Sequence, residues 1–136
     1  MLVYGIYKNM TSKYRIVAVE AAYAASKGMH PLDAWNASAA KVFKNNLSCI
    51  SKGCPKSTFL SLAQLGVILG IKPGEYTKSI ENKKYADSAL KLLHENSSWS
   101  NNSLKLWERI MNGVEKKHNS QMDVVIGLWQ AKLLTE

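Results

Sequence analysis

The chain has 136 residues, of which 46% are apolar and 21% are charged, and its formal net charge at pH 7 is +8. This length predicts one domain that buries enough surface to fold without disulfides or bound metal. The composition excludes a disordered or fibrous chain, and no apolar run approaches the ~20 residues that a membrane-spanning helix needs.

The first half of the chain is the more basic half. Residues 1–74 hold nine Lys or Arg and two acidic residues, whereas residues 75–136 hold nine and eight. Such a balance favours an anionic partner, either nucleic acid or an acidic protein surface. The N-terminal sequence lacks the charged, apolar and cleavage regions of a signal peptide, so we expect a cytoplasmic protein.

Residues 10–136 are predicted to form one helical domain, preceded by an extension over residues 1–9. Good N-cap residues follow Met10, so the first helix is expected from about Ser12 to Ser26. Its inward face holds Ile16, Val19, Ala22 and Tyr23. Pro31 suits the first position of a second helix, because its missing N–H would be unpaired there. The apolar stripe of that helix holds Leu32, Trp35, Ala39, Val42 and Phe43.

Four further helices are expected along the rest of the chain. They begin at Pro55, Asn82, Ser103 and either Asn119 or Ser120. Ser120 and Asp123 form a variant of the capping box at the last start. Burial is also expected for Val67, Ile68, Leu69 and Ile71, and for Leu104, Trp107, Ile110, Met111 and Val114. No strand pattern is present, so the predicted fold is all-α, a single compact domain of five or six helices in an orthogonal or bundle-like array.

Three segments of the chain carry a family resemblance. They are SKGCPKSTFLSLAQLGVILGIKPGEY, NKKYADSALKLL and LWERIMNGVEKKHNSQMDVVIGLW, of which SKGCP and HNSQMDVV are the most unusual parts. With these segments the chain after Met10 resembles a family of small bacterial proteins known only as a domain of unknown function. The resemblance implies a bacterial, cytoplasmic, single-domain protein and supplies no catalytic residue.

The loop Ser48–Lys56 and the helix start at Pro55 form the first candidate site. The free N–H groups and partial positive charge of a helix start attract anions, and lysine and serine side chains add donors. The predicted anion-binding residues are Ser51, Lys52, Gly53, Cys54, Lys56 and Ser57. The segment GCPKST lacks the first glycine of a phosphate-binding loop and fails that motif. The alternative is a sharp loop whose backbone requires Gly53.

Cys54 is also the candidate nucleophile of a cysteine-dependent enzyme. A thiol at a helix N-terminus beside lysines ionises more readily than a free thiol, and His118 is the histidine with polar neighbours that suit a base. The alternative is the buried, unreactive thiol that most free cysteines form. Cys49 and Cys54 supply two zinc ligands at most, so no metal or other cofactor is predicted.

The segment LAQLGVILGIKPGEYTKSIE resembles a helix-turn-helix, with its second helix carrying the residues for a DNA groove. Pro73 and Gly74 oppose this interpretation, because they fall where the second helix would begin. The nucleic-acid contacts that this hypothesis names are Lys41, Lys44, Lys72, Tyr76 and Lys78. Non-specific phosphate contacts by lysines of the basic half are the weaker version of it.

The last candidate is the polar cluster of the segment HNSQMD. Its members are His118, Asn119, Ser120, Gln121 and Asp123. They exceed what one helix cap requires, which indicates either a buried polar network or a ligand contact. The sequence as a whole predicts a non-enzymatic binding or adaptor module with an anionic partner. A Cys54-dependent enzyme and a protein–protein inhibitor in phage–host conflict are the alternatives.

Overall fold

The computed structural model describes residues 12–135, which are helical apart from their connections and one isolated bridge between Ile68 and Leu134. The elements are α1 (Lys13–Ser26), α2 (Pro31–Phe43), α3 (Leu47–Ile50), α4 (Gly53–Leu65), α5 (Glu81–Glu95), a 3-10 helix (Ser97–Asn101), α6 (Ser103–Met111) and α7 (Gln121–Gln130). Six of the α-helices have nine residues or more, so the predicted all-α fold is confirmed. The predicted extension over residues 1–9 lies outside the described residues.

The last helix, α7, lies at the centre of the core. Its sequence QMDVVIGLWQ is apolar around most of its circumference, as expected for a helix without a solvent-facing stripe. Seven of its ten residues are buried, and the helix packs against α1, α4, α5 and α6. The polar start of α7 is therefore carried into the interior, where Gln121 is fully buried.

The first two helices, α1 and α2, pack against each other through small side chains and one large aromatic. The alanines of this pair are buried, namely Ala18, Ala21, Ala22, Ala25, Ala34 and Ala39. Trp35 on α2 is also buried, and its ring centroid lies 5.4 Å from that of Phe59 on α4. A large aromatic in this position contributes much of the apolar area that joins α2 to α4.

Two helix starts differ from the prediction. α4 begins at Gly53, so Pro55 is its third residue and not its first. Each of the first three positions lacks an intrahelical acceptor for its N–H, so proline is tolerated at all of them. α5 begins at Glu81, and the N–H of Asn82 donates to Ser79 Oγ at 3.3 Å. The predicted cap by Asn82 was therefore wrong.

The start of α7 is also built differently from the predicted capping box. Ser120 has a left-handed backbone with φ of 69° and makes no side-chain cap. The N–H of Met122 donates instead to His118 Nε2 at 3.0 Å. Asp123 lies near Arg15 on α1, so its carboxylate serves an interhelical ion pair. The spacing of Ser120 and Asp123 matches a capping box, but the box does not form. Asp123 pairs with Arg15, and His118 takes the place of Ser120 as the acceptor at the helix start.

Several predictions of burial were wrong. The large apolar residues that were expected inside and are exposed are Tyr23, Leu32, Leu69, Leu104 and Val114. Val114 lies beyond the end of α6 at Met111, so the helical spacing that placed it inside does not apply. Conversely, the polar residues Arg15 and Gln121 are buried, because each has polar partners on a neighbouring element.

Candidate anion-binding site

The first turn of α4 is open to its surroundings. Lys52 occupies the N-cap position and makes no side-chain hydrogen bond to the helix, so the N–H groups of Gly53 and Cys54 have no intrahelical partner. A Cβ placed on Gly53 would meet no heavy atom within 4 Å. Gly53 is also absent from the glycines with positive φ. The alternative prediction, a loop whose backbone requires Gly53, was therefore wrong, and neither conformation nor packing explains glycine there.

Lys52 is positioned by α1. Its Nζ lies 5.6 Å from the centroid of the Tyr14 ring, a contact that attracts a cation to the aromatic face. The Tyr14 hydroxyl donates to the carbonyl oxygen of Cys49 at 2.9 Å and so fixes α3 to α1. Burial, together with the neighbouring Cys49, raises the pKa of Tyr14 to about 12. The phenol therefore stays protonated and neutral beneath the ammonium group at neutral pH.

Lys52 also lies within electrostatic reach of the segment HNSQMD. Burial lowers the pKa of His118, Asp123 opposes that shift, and the charge of Lys52 adds to it. The structure thus brings together two stretches that lie more than sixty residues apart in sequence. The ring of His118 packs on Trp107 with centroids 5.2 Å apart. These contacts make His118 a neutral imidazole packed inside the cluster.

The hydrogen bond of His118 bears on the cysteine-enzyme alternative. Its Nε2 accepts from the N–H of Met122, so that lone pair is occupied. In the neutral ring the other nitrogen carries the proton. A general base needs a free lone pair that faces its nucleophile, and this arrangement offers none to Cys54.

Arg15 is the residue of this region that the sequence analysis missed. Its Nε lies 3.5 Å from Asp123 Oδ1, with side-chain exposures of 10% and 14%. Its Nη1 donates to Gln130 Oε1 at 3.5 Å, whereas its buried Nε makes no hydrogen bond among residues 12–135. The signal for its burial was its spacing of three and seven residues from Ala18 and Ala22, which places it on the apolar face.

The polar cluster also contains Gln121 and its neighbours. Gln121 Oε1 accepts from the N–H of Asn119 at 2.7 Å, and Gln121 Nε2 donates to Asn82 Oδ1 at 3.4 Å. These bonds connect the start of α7 to the start of α5. Satisfied buried amides of this kind fix one relative position of two elements.

The remaining predicted anion-binding residues differ in whether their side chains are already hydrogen-bonded within the protein. The Ser51 hydroxyl donates to the carbonyl oxygen of Leu47 at 2.8 Å and so serves α3. Lys56 and Ser57 lie half-buried on the first turn of α4. Of the predicted set, the amides of the first turn together with Lys52 and Lys56 therefore form the positive end of α4.

The residues named for nucleic-acid contact lie in two different settings. Lys41 pairs with Glu20 at 3.3 Å on the exposed side of α2, and Lys44 ends that helix with φ of 53°. Lys72, Tyr76 and Lys78 lie in the non-helical stretch 71–80, so the predicted second helix of a helix-turn-helix was wrong.

Hydrogen bonds accepted by Gln64 hold that non-helical stretch in place. Gln64 Oε1 accepts from the N–H groups of both Tyr76 and Thr77, at 2.9 and 3.1 Å. The Tyr76 hydroxyl donates to the carbonyl oxygen of Lys72 at 2.6 Å. These bonds satisfy the backbone of an extended loop and hold it against α4.

Most basic side chains in residues 12–135 have no acidic partner. These residues include 17 Lys or Arg. Within 4.0 Å the ion pairs are Arg15–Asp123, Lys41–Glu20, Lys91–Asp87 and Lys116–Glu81. The excess positive charge is therefore left to solvent or to an anionic partner.

Two features are absent from residues 12–135. No group of three His, Cys, Asp or Glu side chains in that range is arranged to hold a metal ion. No helix of the same range combines the length and apolar character that crossing a bilayer requires.

Comparison with known proteins gives a family. The model of a family described as "Family of unknown function (DUF6979)" matches residues 11–135. The resemblance to a family without an assigned function is thereby confirmed. No curated protein and no solved structure matches the chain.

Proposed function

The chain belongs to a family of unknown function, and from that premise we propose that it is a small helical module that binds an anionic partner at the start of α4. The partner contacts the backbone amides of Gly53 and Cys54 and the ammonium groups of Lys52 and Lys56. No covalent step is included, because the one histidine considered as a base has its Nε2 lone pair occupied.

The observation that carries this proposal is the open space in front of Gly53. Gly53 is the exposed first residue of α4, and no neighbouring atom would exclude the methyl group of an alanine there. Glycine at that position lets a ligand oxygen come close to two unpaired N–H groups. The partial positive charge of the 13-residue helix acts in the same direction.

The surrounding charge supports the same proposal. Lys52 is held on the Tyr14 ring beside the helix start, and it has no ion pair among residues 12–135. A lysine with a fixed stem loses less freedom on binding than one free in solvent. The predicted nucleic-acid contacts Lys41, Lys44, Lys72, Tyr76 and Lys78 remain a further prediction for contacts with a long polyanion.

An NMR titration at low salt tests the proposal. A ¹⁵N-labelled protein is titrated with a single-stranded oligonucleotide and, separately, with polyglutamate, which represent the two classes of anionic partner. The amide signals of Gly53 and Cys54 are expected to shift with one of them. Each added phosphate contact makes the affinity more salt-dependent, so a nucleic-acid partner gives a steep dependence on salt.

Variants show whether the binding occurs at this site. Lys52→Gln and Lys56→Gln are each expected to weaken binding by about threefold to tenfold. Lys105→Gln is the matched control, because it removes the same charge from an exposed position on α6. If neither polyanion shifts the two amides at low salt, or if all three variants lose affinity equally, the site is not the one proposed.

The setting of this activity remains a prediction. A bacterial, cytoplasmic protein is what the family resemblance implies. An inhibitor role in phage–host conflict also stays a prediction, and it would require a protein partner with an acidic surface.

A further inference from the structure

The structure contains a second concave site, far from the start of α4 in sequence. It is a cleft of about 1120 Å³ between the end of α5, the 3-10 helix, the end of α7 and residues 132–135. We propose that this cleft binds a neutral saccharide, with the sugar ring against Trp129 and its hydroxyl groups bonded to the serine and asparagine side chains of the 3-10 helix.

Aromatic and aliphatic groups provide an apolar surface in the cleft. Trp129 is half-buried on the last turn of α7, and the ring of His94 stands at 75° to it with centroids 5.1 Å apart. Leu69 and Leu134 line the cleft beside them. An indole that is anchored in the core on one side and open on the other offers a rigid face to the C–H groups of a sugar.

The rest of the lining consists mostly of neutral hydrogen-bonding groups. They belong to Asn96, Ser97, Ser98, Ser100, Asn101 and Gln130. Part of their capacity is used internally. Asn96 Oδ1 accepts from the N–H and hydroxyl of Ser98 at 3.0 and 2.7 Å, and the Ser100 hydroxyl donates to the carbonyl oxygen of Ser97 at 2.8 Å. The side chain of Asn101 is exposed and, unlike that of its neighbour Asn102, takes part in no side-chain hydrogen bond within residues 12–135. An amide with both donors and its acceptor free suits a ligand rich in hydroxyl groups.

The charges of the cleft exclude the partner class proposed for the other site. Among the described residues that line it there is no carboxylate, and Lys132 is its only lysine. Proteins that bind single-stranded nucleic acid combine aromatic platforms with a strongly positive groove, which this cleft lacks. A neutral ligand with one apolar face and many hydroxyl groups is the class that fits.

Lys132 adds an independent observation. It adopts a left-handed backbone with φ of 60°, at the position after α7 where glycine is usually preferred. The turn is held by N–H groups of Lys132 and Leu133, which donate to Trp129 and Leu128. A lysine in place of glycine puts a long side chain on the rim of the cleft, where it can donate to a sugar oxygen.

The cleft is held in shape by the buried Arg15 of α1. Gln130 accepts from Arg15 at 3.5 Å and donates to the carbonyl oxygen of Ser100 at 3.3 Å. It therefore fixes the 3-10 helix, which carries the serines, against the end of α7, which carries Trp129. Binding of a sugar requires no rearrangement of these elements, and a preformed site keeps the ordering cost of binding low.

Saturation-transfer NMR tests this proposal with three neutral trisaccharides, maltotriose, cellotriose and N,N′,N″-triacetylchitotriose, and with adenosine as a separate probe. At least one trisaccharide is expected to receive saturation and to shift the indole N–H signal of Trp129. Binding of adenosine without any trisaccharide would overturn the ligand class. Absence of saturation transfer to every trisaccharide at millimolar concentration would overturn the proposal as a whole.

Two variants test whether the trisaccharide binds in the cleft. Asn101→Ala and Trp129→Phe are each expected to raise the Kd by about threefold to tenfold, with the fold checked by circular dichroism. Asn36→Ala is the matched control, because Asn36 is exposed on α2 and outside the cleft. If Asn101→Ala leaves the Kd unchanged, the cleft is not the binding site.

The two proposals fail separately. Lys56→Gln is expected to leave the trisaccharide Kd unchanged, and Asn101→Ala is expected to leave the polyanion affinity unchanged. A variant that weakens both ligands equally would contradict the assignment of two independent sites.

Discussion

Gly127 on α7 lies directly against the backbone of Arg15 on α1. A Cβ on Gly127 would stand 2.9 Å from Arg15 Cα and 3.1 Å from its carbonyl oxygen. Gly127→Ala should therefore destabilise the protein by about 1–3 kcal/mol, because α7 has to move away from α1. This loss of stability is expected even though alanine is the better helix former by about 1 kcal/mol. Urea unfolding monitored by circular dichroism measures it.

Gly53→Ala is the matched control for that variant. Gly53 is also helical, but an added Cβ there would meet no neighbouring atom. Because Gly53 is the exposed first residue of α4, we expect this variant to stay within about 0.5 kcal/mol of the wild-type stability and to bind the anionic partner less well. Equal effects of the two substitutions on stability would show that the contact of Gly127 with Arg15 does not limit the packing.

The ion pair between Arg15 and Asp123 is buried, so its loss should be costly. Asp123→Asn leaves the guanidinium without its counter-charge, and we expect a loss of about 3 kcal/mol or more in the free energy of unfolding. Glu20→Gln breaks the ion pair with Lys41, whose side chain is 75% exposed, and should cost at most about 1 kcal/mol. Chemical denaturation gives the free energy of unfolding of both variants. Similar losses in the two would contradict the greater importance of the buried ion pair.

The parts of the fold that the sequence predicted correctly depend on local signals. Ser12 caps α1 through a bond from the N–H of Tyr14, and Pro31 is the first residue of α2. Both effects act within one helical turn, so neither needs a tertiary partner. The class of fold followed from the same signals, together with the absence of alternating strand patterns.

The parts that the sequence did not predict depend on contacts between distant residues. His118 replaces the Ser120 cap because the fold packs its ring on Trp107. Pro73 and Gly74 are the local signal against a helix over residues 71–80, but the position of that stretch against α4 depends on Gln64, which accepts from the N–H groups of Tyr76 and Thr77. The cleft at Trp129 is assembled from three stretches that are far apart in sequence, namely Leu69, residues 94–101 and residues 129–135, so no single stretch carried its signal.

His118 should make the stability of the protein depend on pH. Burial lowers its pKa from the ordinary value of 6.5, so the folded protein holds this histidine neutral while the unfolded chain binds the proton. Stability is therefore complete above about pH 6.5 and falls as the pH drops below that value. His118→Gln keeps an acceptor for the N–H of Met122 but cannot be protonated, so it should lose less stability on acidification.

Urea unfolding at about pH 7.5 and about pH 5.5 measures the difference between the wild-type protein and His118→Gln. An NMR titration of the His118 ring signals provides the direct measurement of its pKa. Parallel pH dependence in the two proteins, with a ring pKa at or above 6.5, would contradict a buried neutral His118.

The hydroxyl of Tyr14 joins α1 to α3 and should stabilise the fold at neutral pH. Tyr14→Phe removes the bond to the carbonyl oxygen of Cys49, and we expect a loss of about 1 kcal/mol. Because the pKa of Tyr14 is raised to about 12, the folded protein keeps the phenol proton that the unfolded chain loses above about pH 10. Stability should therefore fall between these two pH values, and less steeply in Tyr14→Phe.

Tyr23→Phe is the matched control for Tyr14→Phe, because Tyr23 is 37% exposed and its hydroxyl makes no hydrogen bond among residues 12–135. Its stability at neutral pH should stay within about 0.5 kcal/mol of the wild-type value. Urea unfolding at neutral and alkaline pH compares the three proteins. If Tyr14→Phe and Tyr23→Phe behave alike, the hydroxyl of Tyr14 does not hold α3, and Lys52 loses the fixed support on which the proposed anion site depends.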